Sequence, residues 1–198
     1  MLTRIAVLVS GGGTNLQALL DAENSGALTA GRIELVISSR PGAYALTRAK
    51  SAGVETAVCG SESEMLPLLA ARNIDLIILA GYMSILSPAF TARFPERIIN
   101  IHPALIPSFC GRGMYGLRVH EAALRYGVKV TGATVHYVNE IPDGGRIILQ
   151  KAVEIEDGDT PETLQKRVMR EAEWVLLPRA AELVSKKLAE EKENGGFI

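Results

Sequence analysis

Short runs of Ile, Val and Leu recur along this chain, and between them lie longer stretches whose apolar residues have helical spacing. "RIAVLVS" (4–10), "IELVIS" (33–38), "VETAVC" (54–59), "DLIILAG" (75–81) and "RIINIH" (97–102) are short and β-branched, and read as strands. The spacing predicts helices over "NLQALLDAENSG", ending at Gly26, over "YALTRAKSAG" (44–53), near 62–72 and, briefly, near 87–94. Strands without polar alternation, separated by helices, bury both faces when they lie parallel in one covered sheet. The expected fold class is therefore α/β, with a Rossmann-like mostly parallel sheet and helices on both faces.

The second half departs from that pattern. "HEAALRYG" (120–127) reads as a helix, followed by two long strands, "VKVTGATVHYV" (128–138) and "GRIILQKAVEI" (145–155). The short turn joining them makes the pair antiparallel. Residues 160–192 form a long helical segment, with Thr160 as N-cap, Pro161 at the first helical position and Glu162 favoured by the helix dipole. Thr163 at the third position predicts that a capping box is missing. Pro178 predicts a kink or break, and the tail from about 188 is expected to fray. With no linker or repeat, residues 1–198 are expected to form a single domain.

Charge excludes one class of partner. With 21 basic and 22 acidic residues the net charge is −1, which offers no footprint for nucleic acid. The apolar run at the N-terminus stops at Ser10, too early for a membrane span, and no signal peptide is expected. The two cysteines, Cys59 and Cys110, are too few for a disulfide framework, so free thiols and a cytoplasmic location follow. His102, His120 and His136 lie far apart and lack metal-ligand spacing to either cysteine, so no metal is expected.

Three places carry chemistry. "SGGGTNL" (10–16) lies between a strand and a helix, where glycines let backbone N–H groups approach an anion. A tight turn with Thr14 as N-cap needs only one glycine. The dinucleotide pattern fits Gly11 and Gly13 but meets Leu16 where a third glycine belongs. Arg40 leaves an NADP phosphate open as the weaker case, and a Walker loop is excluded, so a monophosphate fits best. In "IINIHPALIP", Asn100 and His102 share one face at the carboxyl end of a strand stopped by Pro103, where open α/β sheets bind ligands. The bland alternative is a histidine satisfied by a backbone carbonyl. In "NEIPDGGR" (139–146), Asp143 is an ordinary turn residue unless the fold brings it beside His102. Cys110 near His102 raises a nucleophilic pair, but no third residue orients it.

"SGGGTNLQAL", "ILAGYMSILSPAF", "IINIHPALIP", "GATVHYV" and "DGGRIILQ" together resemble the glycinamide ribonucleotide formyltransferase family, in register over residues 3–178. The resemblance implies transfer of a formyl group from the co-substrate 10-formyltetrahydrofolate to the amine of glycinamide ribonucleotide. It implies catalytic roles for Asn100, His102 and Asp143, with Asp143 favouring the imidazolium form of His102. Gly12, Gly13, Thr14 and Asn15 would hold the substrate phosphate, with Glu173 near the ribonucleotide and Arg170 at a phosphate contact. Met83, Ser84, Ile85 and Leu86, together with Val138, Asn139, Glu140 and Ile141, would line the folate pocket. Thr134 and His136, on one strand face, are assigned supporting roles. A homodimer is left open. Related tRNA formyltransferases and formyltetrahydrofolate hydrolases carry additional domains, which this chain is not expected to have. The stretch from Arg167 to Glu173 is one residue longer than the family pattern, and Ala104 stands where Ser is usual.

Overall fold

The computed structural model describes residues 1–195. Its first half contains β1 (Thr3–Val9), α1 (Thr14–Asn24), β2 (Gly31–Ser38), α2 (Tyr44–Ser51), β3 (Glu55–Val58), α3 (Glu62–Ala71), β4 (Leu76–Leu79), α4 (Pro88–Thr91) and β5 (Ile98–His102). The second half adds α5 (Leu117–Tyr126), β6 (Val130–Tyr137), β7 (Ile147–Glu154), α6 (Pro161–Val168), a π-helical turn (Met169–Glu173) and α7 (Trp174–Glu193). One seven-stranded sheet has the order β3-β2-β1-β4-β5-β6-β7. Strands β1 to β5 pair in parallel, and β6 and β7 add antiparallel. The order reverses between β1 and β4, so their carboxyl ends flank the crevice where such sheets take ligands.

Strand β1 shows how the two faces are filled. Ile5, Val7 and Val9 pack with Leu16 and Leu19 of α1 and with Leu177 and Val184 of α7. Ala6 and Leu8, pointing the other way, pack with Met65 and Leu69 of α3 and Phe90 of α4. The unbroken apolar run from Ile5 to Val9 is what a strand buried on both faces requires.

Several local expectations change. Gly13, not Thr14, caps α1, because the chain turns there with φ 73°, a left-handed conformation that glycine adopts without steric cost. The capping box at α6 is present: the Thr160 N–H donates to the Thr163 hydroxyl, and the Thr163 N–H donates to the Thr160 hydroxyl. A threonine hydroxyl thus performs the reciprocal role usually given to Glu or Gln. Pro178 neither breaks nor ends α7, which runs on through it. The irregularity lies one turn earlier, at 169–173, where a π turn takes in one extra residue and places Glu173 against α1. Past 188, where fraying is expected, α7 continues to Glu193 with Leu188 buried and Lys192 paired to Asp75. Residues 196–198 of that tail lie outside the described residues. Among those described, no helix is long and apolar enough to cross a membrane.

Candidate active site

Pro103 follows β5 directly, so the strand ends with His102 at its carboxyl tip. The antiparallel register sets Asn100 opposite His136 and His102 opposite Thr134, on one face of the sheet. His136 Nδ1 lies 2.8 Å from the Tyr137 carbonyl, which can only accept, so the ring carries its proton there. Nε2 then accepts from Asn100 Nδ2 at 3.1 Å, which fixes the orientation of the amide and leaves its second N–H for another partner.

The turn after β6 delivers the carboxylate. Asp143 takes φ 56°, a left-handed conformation that Asp tolerates in turns. Its Oδ2 lies 3.6 Å from His102 Nδ1 and accepts from the Gly111 N–H at 2.8 Å, while Oδ1 lies 3.6 Å from His136 Nε2. The amide, imidazole and carboxylate expected from distant segments therefore meet. His136, read from sequence as a support, stands between two of them. Thr134 holds a supporting position: it donates to the Ala104 carbonyl and accepts from the Ile106 N–H, bracing the loop after His102.

His102 is buried, and its Nε2 donates to the Phe109 carbonyl at 2.8 Å, leaving Nδ1 as the nitrogen that titrates. Burial lowers its pKa below the ordinary value by more than Asp143 raises it. Asp143 does favour the imidazolium, as expected, but desolvation outweighs it and the net shift is downward. Asp143 balances the other way. Burial pushes its pKa up, but contacts with His136 and His102 and the Gly111 N–H more than offset this, so the net shift is downward. The thiol of Cys110 is pushed up by burial, which leaves little thiolate for a nucleophile.

A cavity of about 420 Å³ opens in front of these groups. All the residues expected to hold folate line it: Met83, Ser84, Ile85 and Leu86 on one wall, Val138, Asn139, Glu140 and Ile141 on another. The Met83 N–H donates to the Ser10 hydroxyl at 2.9 Å, tying the first wall to the end of β1. The glycine-rich loop from Gly111 to Gly116 lines it too, unassigned from sequence, although its Gly spacing signals the left-handed turns found at 111, 113 and 116. Of the expected phosphate loop only Asn15 lines the cavity; Gly12, Gly13 and Thr14 lie outside that lining. Arg170 is not brought to the site, because it is exposed and its guanidinium bonds Glu171 at 2.7 Å.

Glu173 reaches the cavity from the π turn, buried against α1, and accepts from Asn15 Nδ2 at 2.6 Å. Desolvation outweighs that bond and pushes its pKa to about 7 from an ordinary 4.5. The unfolded chain therefore binds fewer protons than the folded one between those values, and stability falls as pH rises through that window. Glu173→Gln is expected to remove this slope, which amounts to a loss of on the order of 2–3 kcal/mol by pH 8. Thermal melts of both proteins from pH 4.5 to 8 check it, and parallel curves would refute it.

A family model described as formyl transferase matches residues 3–180. A phosphoribosylglycinamide formyltransferase of Haemophilus influenzae is 39% identical over 98% of this chain and 93% of its own. The chloroplastic enzyme of that name from Arabidopsis thaliana is 38% identical, and the match covers 85% of this chain but 61% of the plant protein. The chain likewise spans 19% of the human trifunctional purine biosynthetic protein adenosine-3, at 41% identity. Among solved structures, glycinamide ribonucleotide transformylase 1 from Symbiobacterium toebii superposes with a TM-score of 0.86 at 42% identity, over 94% of this chain and 89% of that one. A formyltetrahydrofolate deformylase from Pseudomonas syringae has a TM-score of 0.83 at 27% identity, over 94% of this chain and 62% of that one. A match over residues 3–180, together with the cluster of Asn100, His102 and Asp143 at the strand ends, leads to one conclusion: the chain belongs to the formyl transferase family.

Proposed function

We propose that this chain transfers a formyl group from 10-formyltetrahydrofolate to the amine of glycinamide ribonucleotide, a step of purine synthesis, in the cytoplasm and as one domain. The observation that carries this reading is the convergence of Asn100, His102 and Asp143 on one cavity of about 420 Å³. The single seven-stranded sheet supports the one-domain reading, and the unpaired Cys59 and Cys110 support the location. Charge and fold give no reason to invoke nucleic acid or a membrane.

In this mechanism the substrate amine attacks the formyl carbon, and the formyl oxygen becomes an oxyanion. The free N–H of Asn100 donates to that oxygen. Burial of His102 favours its neutral form, in which Nδ1 takes the proton released by the attacking nitrogen. The imidazolium so formed stands beside the developing negative charge and is stabilised by Asp143. Collapse of the intermediate returns that proton to the departing folate nitrogen, giving tetrahydrofolate and the formamide. Asp143 assists both transfers by holding charge on the ring. No covalent enzyme intermediate is needed.

The test follows release of tetrahydrofolate with and without glycinamide ribonucleotide. Release that depends on the ribonucleotide supports the reading. Equal release without it would make the chain a hydrolase. A second expectation concerns the phosphate loop. In Gly13→Ala the new Cβ would lie 2.6 Å from Ala45 Cβ, at a φ of 73° that L-residues resist. The loop must shift, and the KM for glycinamide ribonucleotide should rise about tenfold while the folate KM holds. A change confined to the folate KM would displace the phosphate from this loop.

A further inference from the structure

Helix α2 grips the loop before α1 by its carbonyls. The Ala45 N–H donates to the Gly11 carbonyl at 3.1 Å, and Arg48 Nε donates to the Gly12 carbonyl at 2.9 Å. The same guanidinium donates through Nη1 to Gln17 Oε1 of α1 at 2.9 Å and lies 5.1 Å from the centre of the Tyr44 ring. Arg48 is thereby held by three neighbours, and Gly13 sits against Ala45 with no room for a side chain.

Peptide geometry turns that grip into a statement about the opposite side of the loop. In a planar trans peptide the C=O of one residue and the N–H of the next point in opposite directions. With the Gly11 and Gly12 carbonyls fixed toward α2, the N–H groups of Gly12 and Gly13 face away from it. Neither has a hydrogen-bond partner among the described residues, and the same holds for the N–H groups of Thr14 and Asn15 that open α1. Such a row of convergent donors suits an anion. A second feature adds a polar ligand to the anion. Asn15 is 8% exposed and lines the cavity, yet its buried Oδ1 has no partner among the described residues. A free acceptor beside free donors fits a phosphate carried on a sugar hydroxyl framework.

We infer that Arg48 is a positioning residue for the phosphate of the ribonucleotide: it fixes the Gly12 carbonyl and so aims the Gly12 and Gly13 N–H groups at the phosphate. This rests on the substrate reading proposed above. Arg48 itself lines a separate groove between α1 and α2 and is absent from the active cavity, so it acts through the loop and not by touching the ligand. Its charge, one peptide behind the donors, adds to the favourable potential for a dianion.

Arg48→Met keeps the aliphatic stem and removes both donors, and Arg48→Lys restores one. For the Met variant the KM for glycinamide ribonucleotide should rise about tenfold, the loss expected for one charge-assisted hydrogen bond. The kcat at saturation and the folate KM should stay near wild type, and Lys should recover part of the loss. Kinetics with the same substrate lacking its phosphate give the readout that a merely structural role would not move: the variant should handle this compound as wild type does. Equal losses with both compounds, or an unchanged KM, would overturn the inference. Calorimetry with inorganic phosphate separates the two readings. If wild type fails to formylate the ribonucleotide, the substrate proposal falls. Weaker phosphate binding by the Met variant would still uphold Arg48, and no difference would end it. Should the Met variant not fold, the Lys variant carries the same comparisons.

Discussion

Asp143→Asn is expected to lower kcat by about 10²–10⁴-fold while leaving the fold and melting temperature close to wild type. The amide is nearly isosteric, tolerates the left-handed turn, and can still accept the Gly111 N–H through its oxygen. What it loses is charge. The imidazolium formed on His102 during the reaction would then sit buried with no counter-ion 3.6 Å away. The sign of a second readout follows. Asp143 raises the pKa of His102 against the larger lowering by burial, so removing the carboxylate lets that pKa fall further. An NMR titration of the His102 ring should therefore shift to lower pH in the variant. Near-native turnover, or a titration displaced upward, would remove Asp143 from this role.

Asn100→Ala is expected to cost about 10²–10³ in kcat, the effect of deleting one donor aimed at an oxyanion. Both KM values should change little, because the bond strengthens only as charge develops on the formyl oxygen. Asn100 is well placed for this: one N–H is committed to His136 Nε2, which fixes the direction of the other. Single-turnover rates would report the chemical step directly. A variant with normal kcat and raised KM would make Asn100 a binding residue and leave the oxyanion to His102.

The contrast between Asn100 and His136 shows what local pattern can and cannot supply. Asn100 and His102 were legible because two polar residues at period two end an apolar strand before a proline. The parallel half of the sheet was legible for a similar reason, since β1 and β4 are apolar at nearly every position. His136 looked secondary because its weight comes from pairing: only the β5–β6 register sets it opposite Asn100 and within reach of Asp143. The downward shift of the His102 pKa was hidden as well, because burial is a property of the assembled sheet and not of neighbouring letters. Arg170 shows the reverse case. Its place in the pattern suggested a phosphate contact, but the π turn presents it outward to Glu171 and turns Glu173 inward.

That π turn carries a further consequence for how the helix tolerates change in length. An ordinary helix advances about 100° per residue, so a single insertion would rotate everything after it and lift Leu177, Ala180 and Val184 off the core. The wide turn at 169–173 absorbs the surplus residue on the spot. One position can therefore be gained or lost there while the rest of α7 stays in phase, the change falling on the cavity wall that the turn forms.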